Sequence, residues 1–271
     1  MKILKPGIDP DLFFSRLRKA KHCALLLNYD GTLAPFREKP EQAFPYPGIS
    51  PLLDAIMQDG RTRVILISGR WTRDLLPLTG LKRSPEIWGS HGWERLFPDG
   101  RYEAATPDET ALRGLAEADT WIEEIMALGG RTEQKPSGLA IHWRGLSPEA
   151  GQQIRRLVRE NWALLAQETG LALHEFDGGI ELRVPGRDKG HALNTVLGEM
   201  PATTMAAYLG DDLTDEDAFR AMEDRGLSIL VRQQFRVTAA DLWLTPPEEL
   251  MEFLTQWRHS RRKTEAANEV V

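Results

Sequence analysis

Cys23-Ala24-Leu25-Leu26-Leu27 is an unbroken apolar run that stops at Asn28-Tyr29-Asp30-Gly31-Thr32. A strand with one wet face alternates, so an unbroken run predicts a strand covered on both faces, as in a parallel sheet. Helix-spaced and strand-like segments succeed one another around it. Residues 11–21 put Leu12, Phe13 and Leu17 on one helical face, and residues 50–58 are helical in spacing. Arg63–Ile67 is β-branched and apolar and runs into Ser68-Gly69-Arg70, after which residues 71–76 predict another helix start. A strand at 87–88 ends in Gly89-Ser90-His91-Gly92, and residues 93–97 and 102–104 flank Pro98-Asp99-Gly100-Arg101 as a hairpin.

The texture then changes. A helical stretch at 106–127 leads to strands at 131–134 and 139–143, and a long helix follows at 147–166, with Ser147-Pro148-Glu149 as its cap. Strands at 171–176 and 180–184 flank Asp177-Gly178-Gly179. After Pro185-Gly186 the first texture returns: a helix at 189–197, a buried strand at 205–209 ending in Gly210-Asp211-Asp212, and a helix at 215–222. Strands at 227–231 and 241–244 and an amphipathic helix at 246–257 complete the pattern. The expected fold class is α/β, a doubly wound, mostly parallel sheet core with an inserted small α/β cap. Residues 1–106 and 185–259 would form the core, residues 107–184 the cap, and residues 260–271 a frayed tail.

Composition narrows the function classes. The 271 residues carry a formal charge of −6, against broad nucleic-acid binding, and Arg261-Arg262-Lys263 is too short a basic run to reverse this. Cys23 is the single cysteine, so no intrachain disulfide forms. The N-terminal residues lack a signal peptide's apolar stretch, and no run reaches transmembrane length. A cytoplasmic protein without a membrane or nucleic-acid partner is expected, monomeric or weakly oligomeric.

Ligands of open α/β sheets collect at the carboxyl ends of strands, where four polar loops fall here. Asp30 and Asp211 are candidate Mg²⁺ ligands, with the Asn28 side-chain oxygen as a neutral third. Capping and turn-ordering are the competing roles for such residues. Ser68 precedes a helix N-terminus that offers free N–H groups to an anion. Lys189 opens a helix, where its charge opposes the dipole unless an anion stands nearby. No Walker loop, dinucleotide glycine pattern or Cys/His cluster occurs.

Taken in order, Asn28-Tyr29-Asp30-Gly31-Thr32-Leu33, Ile67-Ser68-Gly69-Arg70, Lys189-Gly190 and Gly210-Asp211-Asp212-Leu213-Thr214-Asp215-Glu216 resemble the haloacid-dehalogenase-like phosphatases. Within these they are similar to the trehalose-6-phosphate phosphatases. The resemblance implies a Mg²⁺-dependent phosphatase that works through an aspartyl-phosphate formed at residue 28. It makes Asp30 the general acid and base, and its carbonyl a metal ligand. Ser68 and Lys189 would hold phosphoryl oxygens, Asp211 would bind the metal, Asp215 would orient its neighbours, and Thr32 and Arg70 would stand near the substrate. At residue 28, however, the family's aspartate is Asn28. An amide carries no charge and is a poor nucleophile, so the chain is expected to be nearly inactive. An isolated isosteric exchange suggests an engineered substrate trap, with a natural non-catalytic sugar-phosphate binding protein as the alternative.

The cap's Glu133, Lys135, His142 and Glu181 alternate along strands and are either solvated or turned toward a sugar. The resemblance assigns Glu133, Lys135 and Glu181 to the distal glucose of trehalose 6-phosphate. His91 and Gly92 would contact the sugar or phosphate from the core. Another glycosyl phosphate, such as glucosylglycerol phosphate, fits the same core chemistry.

Overall fold

The computed structural model describes residues 1–37, 39–176 and 178–261. Its strands are β1 (Lys2–Ile3), β2 (Cys23–Leu27), β3 (Arg63–Ile67), β4 (Glu86–Gly89), β5 (Glu94–Leu96), β6 (Tyr102–Ala104), β7 (Arg131–Lys135), β8 (Gly138–His142), β9 (Ala172–Phe176), β10 (Gly179–Arg183), β11 (Met205–Gly210), β12 (Gly226–Val231) and β13 (Leu242–Leu244). They form two sheets. The larger runs β1-β13-β12-β11-β2-β3-β4-β5-β6, parallel from β13 to β4 and antiparallel at both edges. The smaller runs β7-β8-β10-β9 and is antiparallel throughout.

The unbroken apolar run has its explanation here. Every residue of β2 is buried. Leu25 and Leu27 face a cluster with Phe14 and Leu17 of helix Pro10–Lys19, Leu53 of helix Ile49–Gln58 and Leu254 of helix Glu248–Arg261. Ala24 and Leu26 face Leu193 of helix Lys189–Gly198 and Phe219 of helix Glu216–Ala221. Each such leucine stabilises the fold by about 1.5–3 kcal/mol, and truncating Leu26 to Ala would cost roughly 2–5 kcal/mol. The chain winds outward from β2 through β3 and β4, and in the other direction through β11 and β12. The crevice at that reversal, beyond the ends of β2 and β11, is where such sheets bind ligands.

The smaller sheet buries one face. Leu139, Ile141, Ile180 and Leu182 pack on Ile154, Val158 and Trp162 of helix Pro148–Thr169. Strand parity then commits the neighbouring residues of β7, β8 and β10 to the opposite face.

Three elements differ from the sequence-based expectation. The stretch at 106–127 is two helices, Glu109–Ala118 and Ile122–Ala127, joined by a 3₁₀ turn; Asp108 caps the first by accepting from the Ala111 N–H at 2.8 Å. The two-residue β1 is exposed and left no hydrophobic signal. The last helix continues to Arg261, so Ser260 and Arg261 do not fray. Arg261 Nη1 donates to the Leu17 and Ala20 carbonyls at 2.6 and 2.8 Å. The remaining tail and the Asp177 turn position lie outside the described residues. Among the described residues, no helix is long and apolar enough to cross a membrane.

Candidate active site

Asn28, Asp30, Ser68, Lys189 and Asp211 meet in one cleft beyond the carboxyl ends of β2, β3 and β11, with Glu133, Lys135, His142 and Glu181 of the smaller sheet across from them. Asn28 is buried, and its Oδ1 accepts from Lys189 Nζ at 3.1 Å. Its Nδ2 donates to Asp211 Oδ1 at 2.6 Å, to the Asp30 carbonyl at 2.8 Å and to Thr32 Oγ1 at 3.3 Å. Lys189 also donates to Asp215 Oδ1 at 2.7 Å. Asp215 is fully buried and takes the Asp211 and Asp212 backbone N–H groups on Oδ2 at 3.0 and 2.9 Å, with the Tyr208 hydroxyl on Oδ1.

The two carboxyls titrate oppositely. Burial pushes Asp211 well above the usual carboxylate range, and the Asp215 charge adds to this. Burial also acts upward on Asp215, but Lys189 and the surrounding donors outweigh it and hold this carboxyl low. Asp215 is therefore the fixed counter-charge of Lys189, and Lys189 can face a phosphoryl group without leaving its partner.

Backbone shape sets these positions as much as charge does. Gly31 has φ +77°, and a Cβ there would lie 2.0 Å from Asp211 Oδ2. A Cβ on Gly69 would come within 2.6 Å of the His91 ring, so the loops after β3 and β4 pack as closely as they do only with glycine. Ser90 and His91 both lie in the left-handed region, at φ 48° and 55°. Glu94 holds that bend by accepting from Ser90 Oγ, Thr72 N and Thr72 Oγ1 at 2.9, 3.0 and 3.0 Å. Nothing in its local sequence marks Glu94 for this work.

Arg70 donates to both carboxylate oxygens of Asp30, at 2.6 Å each. Its first contact is thus the candidate acid/base. Two residues expected at the substrate stand behind the wall instead. Thr32 is fully buried and bonds Asn28 and Asp211. Gly92 is buried against the start of helix Lys189–Gly198, where a Cβ would meet the Asp188 carbonyl at 2.9 Å.

Across the cleft, parity aims Glu133 and Lys135 of β7, His142 of β8 and Glu181 of β10 the same way. Lys135 Nζ lies 2.9 Å from Glu181 Oε1 and 3.9 Å from Glu133 Oε2; His142 Nε2 lies 3.0 Å from Glu133 Oε2. Burial favours the neutral form of both carboxyls, but Lys135 and the histidines outweigh it, taking Glu133 down to about 2 and Glu181 well below the carboxylate range. His91 Nε2, from the core, stands 3.1 Å from Glu181 Oε2. A nearby carboxylate would raise a histidine, yet burial dominates and lowers His91 to about 4. The contact is therefore a hydrogen bond from neutral imidazole, which leaves a buried Nδ1 with no partner among the described residues.

Arg131, His174 and Phe176 complete this face, and Phe36 and Arg37 line the cleft from the core. Arg131 shares the parity of Glu133 and Lys135 and could have been found from it. His174 and Phe176 join through the β9–β10 register, which needs the sheet order. Glu175 has the opposite parity and pairs with Arg155 and Arg159 on helix Pro148–Thr169, away from the cleft.

The residues expected to hold Mg²⁺ do not fit a hard cation as they are arranged. Asp211 Oδ2 is buried without a hydrogen-bond partner among the described residues, which favours a cation. Against that, Asp211 Oδ1 and the Asp30 carbonyl both accept from the Asn28 amino group. Among the described residues, no three His, Cys, Asp or Glu side chains converge as a metal site.

A family model described as trehalose-phosphatase matches residues 26–241. A trehalose-phosphate phosphatase of Mycobacterium marinum is 33% identical over 85% of this chain and 60% of its own length. An uncharacterized glycosyl hydrolase of Mycobacterium tuberculosis is 32% identical over 89% of this chain but 18% of its own length. The chain thus spans less than two thirds of the length of each of these relatives. In fold it is similar to the Candida albicans trehalose-6-phosphate phosphatase C-terminal domain, with a TM-score of 0.82 at 20% identity over 96% of this chain and 99% of that one. Motif order, sheet topology and the match over residues 26–241 agree, and the chain belongs to the trehalose-phosphatase family, within the haloacid-dehalogenase-like fold.

Proposed function

We propose that the cleft is a sugar-phosphate site of the trehalose-6-phosphate phosphatase type, and that Asn28 makes this chain hold its substrate rather than hydrolyse it. The convergence of Asn28, Asp30, Ser68 and Lys189 opposite Glu133, Lys135 and Glu181 carries the reading. Lys189, balanced by Asp215, supplies a buried positive charge for the phosphoryl group. Ser68, at the end of β3, presents a hydroxyl to the same group. Asp30, oriented by Arg70, stands two residues from the nucleophile position and is suited to give a proton to the leaving ester oxygen and then to take one from the hydrolytic water. With aspartate at 28, its carboxylate would attack phosphorus and the ester oxygen would leave with the Asp30 proton; water, giving its proton to Asp30, would then cleave the aspartyl-phosphate to phosphate and the free carboxylate. The Asn28 amide is already bonded on both of its polar atoms and has no charge to attack with.

The cap face supports a sugar as the leaving group. Glu181 is buried and Glu133 half-buried, both are ionised, and Lys135 lies between them, an arrangement that reads hydroxyl groups by hydrogen bonds to fixed partners. His142 lies edge-on to Phe176, with centroids 5.2 Å apart, and Phe176 adds an apolar wall for a pyranose face.

Phosphate release by the Asn28→Asp form across a panel of glycosyl phosphates tests the reading. Release led by trehalose 6-phosphate supports it. Release from another glycosyl phosphate alone, such as glucosylglycerol phosphate, keeps the chemistry and replaces the sugar. No release from any of them, with the fold intact, overturns the phosphatase type and leaves a binding protein.

A further inference from the structure

The hydrogen-bond network fixes which way the Asn28 amide points. Nδ2 faces three oxygens, the Asp30 carbonyl at 2.8 Å, Asp211 Oδ1 at 2.6 Å and Thr32 Oγ1 at 3.3 Å. Oδ1 faces one donor, Lys189 Nζ at 3.1 Å. Turning the amide over would set oxygen against the Asp30 carbonyl and Asp211 Oδ1, with only the Thr32 hydroxyl able to donate to it, and –NH₂ against an ammonium that is itself held by Asp215 at 2.7 Å. Asn28 and Lys189 are both buried, so water could not relieve either mismatch.

A divalent cation shared by Asp211 and the Asp30 carbonyl would need the flipped amide as its third ligand. The same flip breaks the Lys189 contact and points two donors at each other. The native orientation instead puts N–H groups on the oxygens a cation would use. We propose that Asn28, besides lacking a nucleophilic charge, blocks the cation site, so that this chain binds phosphate and phosphate esters through Lys189 and Ser68 without a divalent metal. The proposal rests on the phosphatase-type reading of the cleft and extends it to metal dependence.

Two accounts of Asn28 differ in sign. If Asn28 were simply a weaker ligand than aspartate, deleting its side chain would weaken Mg²⁺ binding further. If its amino group blocks the site, Asn28→Ala frees Asp211 Oδ1 and the Asp30 carbonyl and strengthens binding.

Calorimetric titration of Mg²⁺ into the Asn28 chain, Asn28→Ala and Asn28→Asp separates them, with circular dichroism confirming that each is folded. The expected order is Asn28→Asp tightest, Asn28→Ala intermediate and the Asn28 chain weakest, about 30-fold or more below Asn28→Asp. Inorganic phosphate should bind the Asn28 chain with an affinity that changes less than about twofold between EDTA and saturating Mg²⁺. Mg²⁺ binding to the Asn28 chain that equals or exceeds that of Asn28→Ala would overturn the proposal. So would phosphate binding that tightens about tenfold with Mg²⁺. Should a variant not fold, the phosphate titration on the unchanged chain decides alone. Failure of Asn28→Asp to release phosphate from any glycosyl phosphate would count against the phosphatase reading and leave the cation result standing.

Discussion

The two walls of the cleft are built by different rules. On the core side the functional residues come from four separate loops, placed by tight glycines and hydrogen bonds: Asn28 and Asp30 after β2, Ser68 after β3, His91 after β4, Asp211 after β11. On the cap side one sheet supplies the whole face, and alternation alone aims its residues. The core wall thus concentrates charge at one point, as a phosphoryl group requires. The cap wall spreads donors and acceptors over an area, which suits a sugar. Changes in the core should therefore disturb folding and anion binding together, and changes in the cap should alter selectivity.

Lys189→Met breaks this contrast hardest. It leaves Asp215 as a buried, unpaired carboxylate, and losing one partner of a buried pair costs about 3–5 kcal/mol. Denaturant unfolding should show that loss, and inorganic phosphate binding should fall below detection. An unchanged unfolding midpoint would mean that Lys189 is not the partner of Asp215.

Acid attacks the seam between the walls. His91 has a folded value of about 4 against an ordinary 6.5, so the unfolded chain takes up its proton first. This contribution, on the order of 3 kcal/mol, is complete above pH 6.5 and lost as pH falls toward 4. Glu133 is depressed to about 2, so its contribution is present above the ordinary 4.5 and lost as pH falls toward 2. Stability should decline in two stages on acidification. His91→Gln should shrink the upper stage, to which His174 and His191, also lowered by burial, add, and should keep the lower one; an upper stage of undiminished size in that variant would refute the assignment.

The cap shows how far sequence reaches. Motifs after β2, β3 and β11 are contiguous in the chain and therefore legible in the sequence alone, as are the buried strands and the interruption between two core-like segments. Glu133 and Lys135 are legible by parity. Phe176 and His174 are not, because only the register of β9 on β10 brings them to the face. Thr32 and Gly92 stand elsewhere than expected for the converse reason: motif proximity does not reveal which side chains point inward. Arg261 shows that a charged terminus can be a buried clamp when backbone carbonyls await it.

Selectivity sharpens the comparison at smaller scale. Glu133→Ala removes the His142 partner and should weaken trehalose 6-phosphate binding about 10–100-fold, with inorganic phosphate within about twofold. Equal losses for both ligands would contradict the division of labour. Smaller still is the contact of Arg144 over the Phe36 ring at 4.2 Å, which links cap to core. Phe36→Ala should cost about 0.5–1 kcal/mol of disaccharide-phosphate affinity, a few-fold in a calorimetric titration.

The most direct test of the central claim, that residue 28 alone separates holding from hydrolysis, is single-turnover phosphate release from trehalose 6-phosphate by the Asn28 chain and Asn28→Asp side by side. Intact-mass analysis would exclude deamidation. The account predicts release about a thousandfold or more slower with Asn28, at comparable ligand affinity. Equal rates from an undeamidated Asn28 chain would contradict it.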